Sequence, residues 1–158
     1  MLKFTKSILK LSLFLSILVS SGCARMLLPT SESQLVQQSI DGGHKAELKI
    51  NYVDAYANLK RAYDRCVAYK SPVPNDMSYV AIDSKLEREK HQGTITATAN
   101  FGTYVSQVIL KEIPDEQTLL TLYLSKAKLL TNNKNVELAK KRFEQEQLRA
   151  LGNDPKCN

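Results

Sequence analysis

Polar and apolar positions alternate with a period of two over several stretches of this chain and follow a helical period in two others. From Lys45, the apolar Ala46, Leu48, Ile50 and Tyr52 alternate with Lys45, Glu47, Lys49 and Asn51, the pattern of a half-buried strand. Past Asn51 the period lengthens, and Tyr52, Tyr56, Leu59, Tyr63 and Cys66 fall on one side of a helix while Asp54, Lys60, Arg61 and Asp64 face elsewhere. Asn51 can cap this helix, and Pro72 and Pro74 bar its continuation beyond about Tyr69, since proline has no N–H to donate. The tyrosine stripe reads as core, with a ligand surface as the alternative.

A run of strands follows: Tyr79 to Ser84, a weak stretch around Lys85 to His91, Gly93 to Phe101, and Thr103 to Ile113. In the third, Ile95, Ala97, Ala99 and Phe101 alternate with Thr94, Thr96, Thr98 and Asn100, which predicts a polar threonine face opposite the core. In TYVSQVILKEI the alternation blurs, but β-branched residues are frequent. Pro114, Asp115 and Glu116 make a turn, and QTLLTLYLS predicts a further strand from Gln117 to about Ser125. The last element runs from about Asn133 to Leu151. Val136, Ala139, Phe143, Gln147 and Ala150 lie on one stripe of it, Lys140, Lys141, Arg142, Glu144 and Glu146 cover the rest, and Gly152 can end it. Short turns between consecutive strands favour antiparallel pairing. The predicted fold is therefore α+β: one antiparallel sheet of about four to five strands with two helices packed on one face, in the order β-α-β-β-β-β-α.

The first residues belong to neither pattern. Lys3, Lys6 and Lys10 precede an apolar run, LSLFLSILV from Leu11 to Val19, which falls well short of the ~20 apolar residues that span a bilayer. Ser20, Ser21 and Gly22 then give a small-residue, peptidase-accessible stretch ahead of Cys23. The segment LVSSGC resembles the lipobox of bacterial lipoproteins, although Ser20 stands where that family usually has Leu. The resemblance covers residues 1 to about 25. It implies cleavage of a signal peptide, residues 1–22, and attachment of diacylglycerol and a further acyl group such as palmitate to Cys23 as the new N-terminus. Because Ala24 rather than Asp follows the cysteine, it also implies anchoring in the outer membrane, facing the periplasm. Two or three acyl chains hold a protein in a bilayer essentially permanently, where one is reversible. Residues 23–43, rich in Ser and Gly with Pro29 and no sustained period, read as a flexible tether in which Met26, Leu27 and Leu28 can touch lipid headgroups. Residues 44–158 then form a single α+β domain.

Cleavage changes the reading of charge and of cysteine. Losing three lysines lowers the formal net charge from +6 to +3, over the 136 residues that remain of 158. A mixed surface of that charge offers no field for nucleic acid. With Cys23 assigned to lipid, Cys66 and Cys157 remain as an even pair in an oxidising compartment, which predicts a disulfide; two unpaired cysteines, one packed in the helix and one in a flexible tail, are the alternative.

No local signature of catalysis is present: no phosphate-binding glycine loop, no nucleophile with a nearby base, and no zinc-like spacing of His44 or His91 with either cysteine. Both histidines read as exposed turn residues. Asp83, Glu87 and Glu89, interspersed with Lys85, Arg88 and Lys90, read as a solvated edge strand guarded by charge. No catalytic residue, metal or cofactor is expected. The chain is expected to be a non-catalytic module of the cell envelope that meets another envelope protein. The alternative is a periplasmic binding or inhibitor protein for a small ligand, a glycan or an enzyme.

Overall fold

The alternation becomes a six-stranded sheet. The structure, a computed structural model, describes residues 28–125 and 133–157; the predicted signal peptide, Cys23 and residues 24–27 of the predicted tether lie outside the described residues. Within them the chain runs helix α1 (Glu32–Gln37), strand β1 (His44–Leu48), helix α2 (Tyr52–Cys66), strands β2 (Tyr69–Lys70), β3 (Tyr79–Glu87), β4 (Gln92–Ala99), β5 (Thr103–Ile113) and β6 (Gln117–Leu124), and helix α3 (Asn133–Ala150). The order across the open sheet is β1-β6-β5-β4-β3-β2, every neighbouring pair antiparallel.

Register explains which side chains meet. Ile95 pairs with Val108, Val108 with Leu122, and Leu120 with both Leu110 and Ala46, so these residues share one face. Against that face pack Ala55, Leu59 and Tyr63 of α2 and Ala150 of α3, all fully buried, and together they form the core. Asn51 caps α2 as predicted, its Oδ1 accepting from the N–H groups of Val53 and Asp54 at 3.1 and 3.0 Å. Gly152, at φ 73°, follows the end of α3 in the left-handed region that glycine adopts without penalty.

Gly93 marks a close approach between helix and sheet. A methyl group placed there would lie 2.8 Å from Cδ2 and 3.3 Å from Cβ of Tyr56. Gly93→Ala is expected to cost about 1–3 kcal/mol through this overlap. That exceeds the roughly 0.4–1 kcal/mol gained by restricting the unfolded chain. Urea denaturation measures the balance, and an unchanged midpoint would show that the Tyr56 ring swings aside freely.

Four departures from the sequence reading concern whole elements and their connections. The weak strand around residues 85–91 does not exist separately: Lys85 to Glu87 extend β3, and Arg88–Lys90 form a 3-10 turn into β4. Phe101, expected on the core face, is instead the left-handed residue of the turn Asn100–Gly102, because a register shift after Ala97 ends the regular alternation. Strand β2, two residues long, is additional.

The fourth difference is that residues 28–43, expected as tether, are folded against the sheet. Helix α1 lies on the face opposite α2 and α3, beside β5 and β6, so a third helix joins the two expected on a single face. A helix of six residues is far below the ~12–15 that hold helical structure alone in water. It is held by Ser31, whose Oγ accepts from the Gln34 N–H at 3.3 Å, and by Leu35, which is fully buried. Burying one leucine contributes roughly 1.5–3 kcal/mol. Hydrogen bonds from sheet N–H groups close the segment at both ends: Tyr104 N–H donates to the Pro29 carbonyl at 2.9 Å, and Leu124 N–H to the Ser39 side-chain Oγ at 3.0 Å.

Candidate functional site

Helix α1 covers only the β5 and β6 side of the outer face. Over β3 and β4 that face stays open as a cleft of about 260 Å³, whose floor includes Thr94, Thr96, Gln107 and Ile109 and whose walls include Glu32, Asp83, Lys85 and Glu87. The predicted threonine face is thus real and only half covered. Gln107 Nε2 donates to Thr96 Oγ1 at 3.2 Å, fixing the buried part of the floor. Hydrogen bonds from Lys90 and Lys85 hold the Glu87 carboxyl below its ordinary range. The threonine hydroxyls, the Gln107 amide and the charged Glu32, Asp83, Lys85 and Glu87 offer hydrogen bonding and charge to whatever enters the cleft.

The cleft borders an unpaired strand edge. Strand β2 pairs only through Tyr69 with Val80 and Lys70 with Tyr79, so β3 from Ala81 to Glu87 has no neighbouring strand on its outer side among the described residues. On the helical side of the same edge lies a second groove, of about 410 Å³, lined by Tyr56, Lys60, Arg61 and Leu86 among others. Successive residues of an added strand point to opposite faces. A strand laid along β3 would therefore send alternate side chains into a polar, acid-rimmed cleft and into a groove of Tyr56, Leu86, Arg61 and the Lys60–Asp64 ion pair.

A different surface gathers at the end of the sheet where β3 and β5 begin. The Asn100 side chain accepts from the Tyr79 N–H at 2.8 Å, tying the β2–β3 loop to the β4–β5 turn. Around them Phe101 is 89% exposed and Met77 83%, with Tyr69, Val73, Tyr79, Val105 and Leu28 also exposed. Seven of the eleven large apolar side chains exposed among the described residues lie on this rim, too many to be scattered surface residues. Phe101 also sits at φ 61°, a conformation that costs an L-residue roughly 1–2 kcal/mol.

The predicted site residues fall as follows. Cys66 and Cys157 are bonded, with Cα atoms 5.8 Å apart, which ties the C-terminal tail to the end of α2. Cys23 lies outside the described residues. His91 is an exposed turn residue whose Nδ1 is paired with Glu112. His44, expected in a turn, instead begins β1 on the core side, its ring 5.3 Å from that of Phe143, because the strand starts one residue earlier than the alternation indicated. Among the described residues no group of three or more His, Cys, Asp or Glu is arranged to hold a metal ion, and no helix is long and apolar enough to cross a membrane.

Sequence reasoning missed one cluster. Glu146, expected on the solvent side of α3, is fully buried and accepts from Arg142 Nε at 2.6 Å and Arg149 at 3.0 Å. Arg149, 3% exposed, also bonds Asp154 at 3.0 Å and approaches Cys157 Sγ at 3.6 Å. Burial raises the Glu146 pKa against the opposing pull of the two guanidiniums, and burial followed by the Glu146 charge raises that of Tyr63. The spacing of Glu146 and Arg149 was a visible signal, but Asp154 on the tail was not. Lying beside the disulfide beneath the tail, this network is structural. No family model and no curated protein matches the chain.

Proposed function

We propose that this chain is a lipoprotein of the bacterial envelope, anchored through acylated Cys23 on the periplasmic face of the outer membrane, which without catalysis takes up an extended segment of another envelope protein along β3. The observation that carries this reading is the seven-residue edge from Ala81 to Glu87, unpaired among the described residues and flanked by clefts on both faces. Backbone pairing supplies affinity in such strand addition, and the alternate side-chain clefts supply selectivity. The space between α2 and the sheet is filled by Leu59, Tyr63, Ile95 and Leu120, each fully buried, so the core offers no room for a ligand there. Anchoring is supported by the LVSSGC segment and by cysteine pairing: with Cys66 bonded to Cys157, the third cysteine is left for lipid.

A photo-crosslinking residue at Asp83 or Lys85 is expected to trap one envelope protein in intact cells, whereas the same residue at Glu116, in the turn before β6, traps none. Capture should fall sharply in the Cys23→Ala form. Equal trapping from Glu116, or none from the β3 edge, would reject the edge as the contact. The second reading, a binding protein for a small polar ligand or glycan, is favoured by the polar cleft of about 260 Å³. A stoichiometric small molecule in the purified protein, with no crosslink from β3, would select it.

A further inference from the structure

We infer that the apolar rim carrying Phe101 and Met77 is a membrane-contact surface that sits in the headgroup layer of the phospholipid bilayer holding the anchor; this rests on the anchoring reading above. The rim is where the described chain begins: Pro29 is bonded to Tyr104, three residues beyond Phe101. Five Cα-to-Cα steps separate Leu28 from Cys23. At full extension they reach about 18 Å. A lipidated Cys23 therefore brings this end of the sheet to the bilayer, and the turn Arg88–Lys90 lies at the far end.

The composition of the rim fits that position. Phe101 and Met77 supply exposed apolar side chains, and Tyr69 and Tyr79 are rings with a polar tip, which favour the headgroup level. Lys70 is an exposed cation beside them. Basic groups beside apolar ones are the composition of interfacial surfaces. The rim's carboxylate, Asp76, is engaged internally, accepting from Ser78 Oγ at 2.6 Å and Ser78 N–H at 2.9 Å. Phe101 in a left-handed turn makes a poor choice for folding alone, and such a residue points to a role outside the fold.

The chain contains no tryptophan, so a single one reports its own surroundings. The full processed protein, purified from membranes and weighed by mass spectrometry for its lipid, is reconstituted in phosphatidylethanolamine and phosphatidylglycerol vesicles with brominated acyl chains. In Phe101→Trp the emission is expected to shift to the blue and lose intensity to the bromolipid. In Glu89→Trp, at the far end, it should stay solvent-like, and adding Met77→Asp to Phe101→Trp should reverse the shift. Lipid present with solvent-like emission at both positions overturns membrane contact, leaves anchoring intact and assigns the rim to a protein. Lipid absent overturns anchoring; the same protein is then titrated with the vesicles, where quenching confined to Phe101→Trp upholds the surface and its absence overturns it.

Discussion

Cys66→Ser is expected to lower the stability of the domain by about 4–5 kcal/mol, the chain-entropy figure for a loop of this size. The bond joins residues 91 apart, and without it the denatured chain regains the freedom that this long closure removes. Residual structure in the denatured state reduces the figure, so it is an upper value. Domains of this class have only about 5–15 kcal/mol in total, so the loss decides whether the protein survives at growth temperature. Urea denaturation of the oxidised protein against Cys66→Ser, Cys157→Ser and the reduced wild type measures it. All three should agree within about 1 kcal/mol. A loss below about 1 kcal/mol would mean that the tail is held by its polar contacts and that the bond adds little.

Arg149→Met is expected to cost about 3–5 kcal/mol, the range for breaking a buried ion pair on one side. Methionine keeps much of the volume but leaves Glu146 with Arg142 alone and Asp154 without its guanidinium. The pH dependence has a defined sign. Burial raises the Glu146 pKa above its ordinary 4.5, so the folded protein gains stability as pH falls from neutral towards that value. Asp154 behaves oppositely: burial raises its pKa, but the Lys156 N–H and Arg149 outweigh it and hold it below the ordinary 3.8. Its contribution is fully present above 3.8 and is lost as pH falls through the lowered value. Removing Arg149 raises the Glu146 pKa further and lets that of Asp154 rise, so the deficit of Arg149→Met should be greater at pH 7 than at pH 4. A deficit independent of pH would show that lost packing, not charge, is responsible.

The strands were legible where one face is buried and the other wet, because burial then stamps a period of two on neighbouring residues. Strand β5, whose alternation blurs, was legible instead from its β-branched residues and matches its predicted bounds, Thr103 to Ile113, while β6 ends within one residue of the predicted Ser125. The Asn51 cap and the glycine after α3 were legible because such signals act within a few residues. Helix α1 was not, since six residues with one anchoring leucine cannot display a helical period. Nor was the inward turn of Glu146, because a carboxylate is burnished of its usual preference for water only by partners, and Asp154 comes from beyond the helix. The candidate edge was half legible: the charges of β3 marked an edge strand, but the two clefts beside it depend on where α1 and α2 come to rest.

The Cys66–Cys157 bond also bears on how the protein withstands proteases. The loops between β2 and β6 all fall between the two cysteines. Exposed loop tips are where chains are preferentially nicked. A single cut in any of them leaves two pieces joined through sulfur, so the portion carrying Cys23 keeps hold of the remainder and the nicked domain can remain assembled.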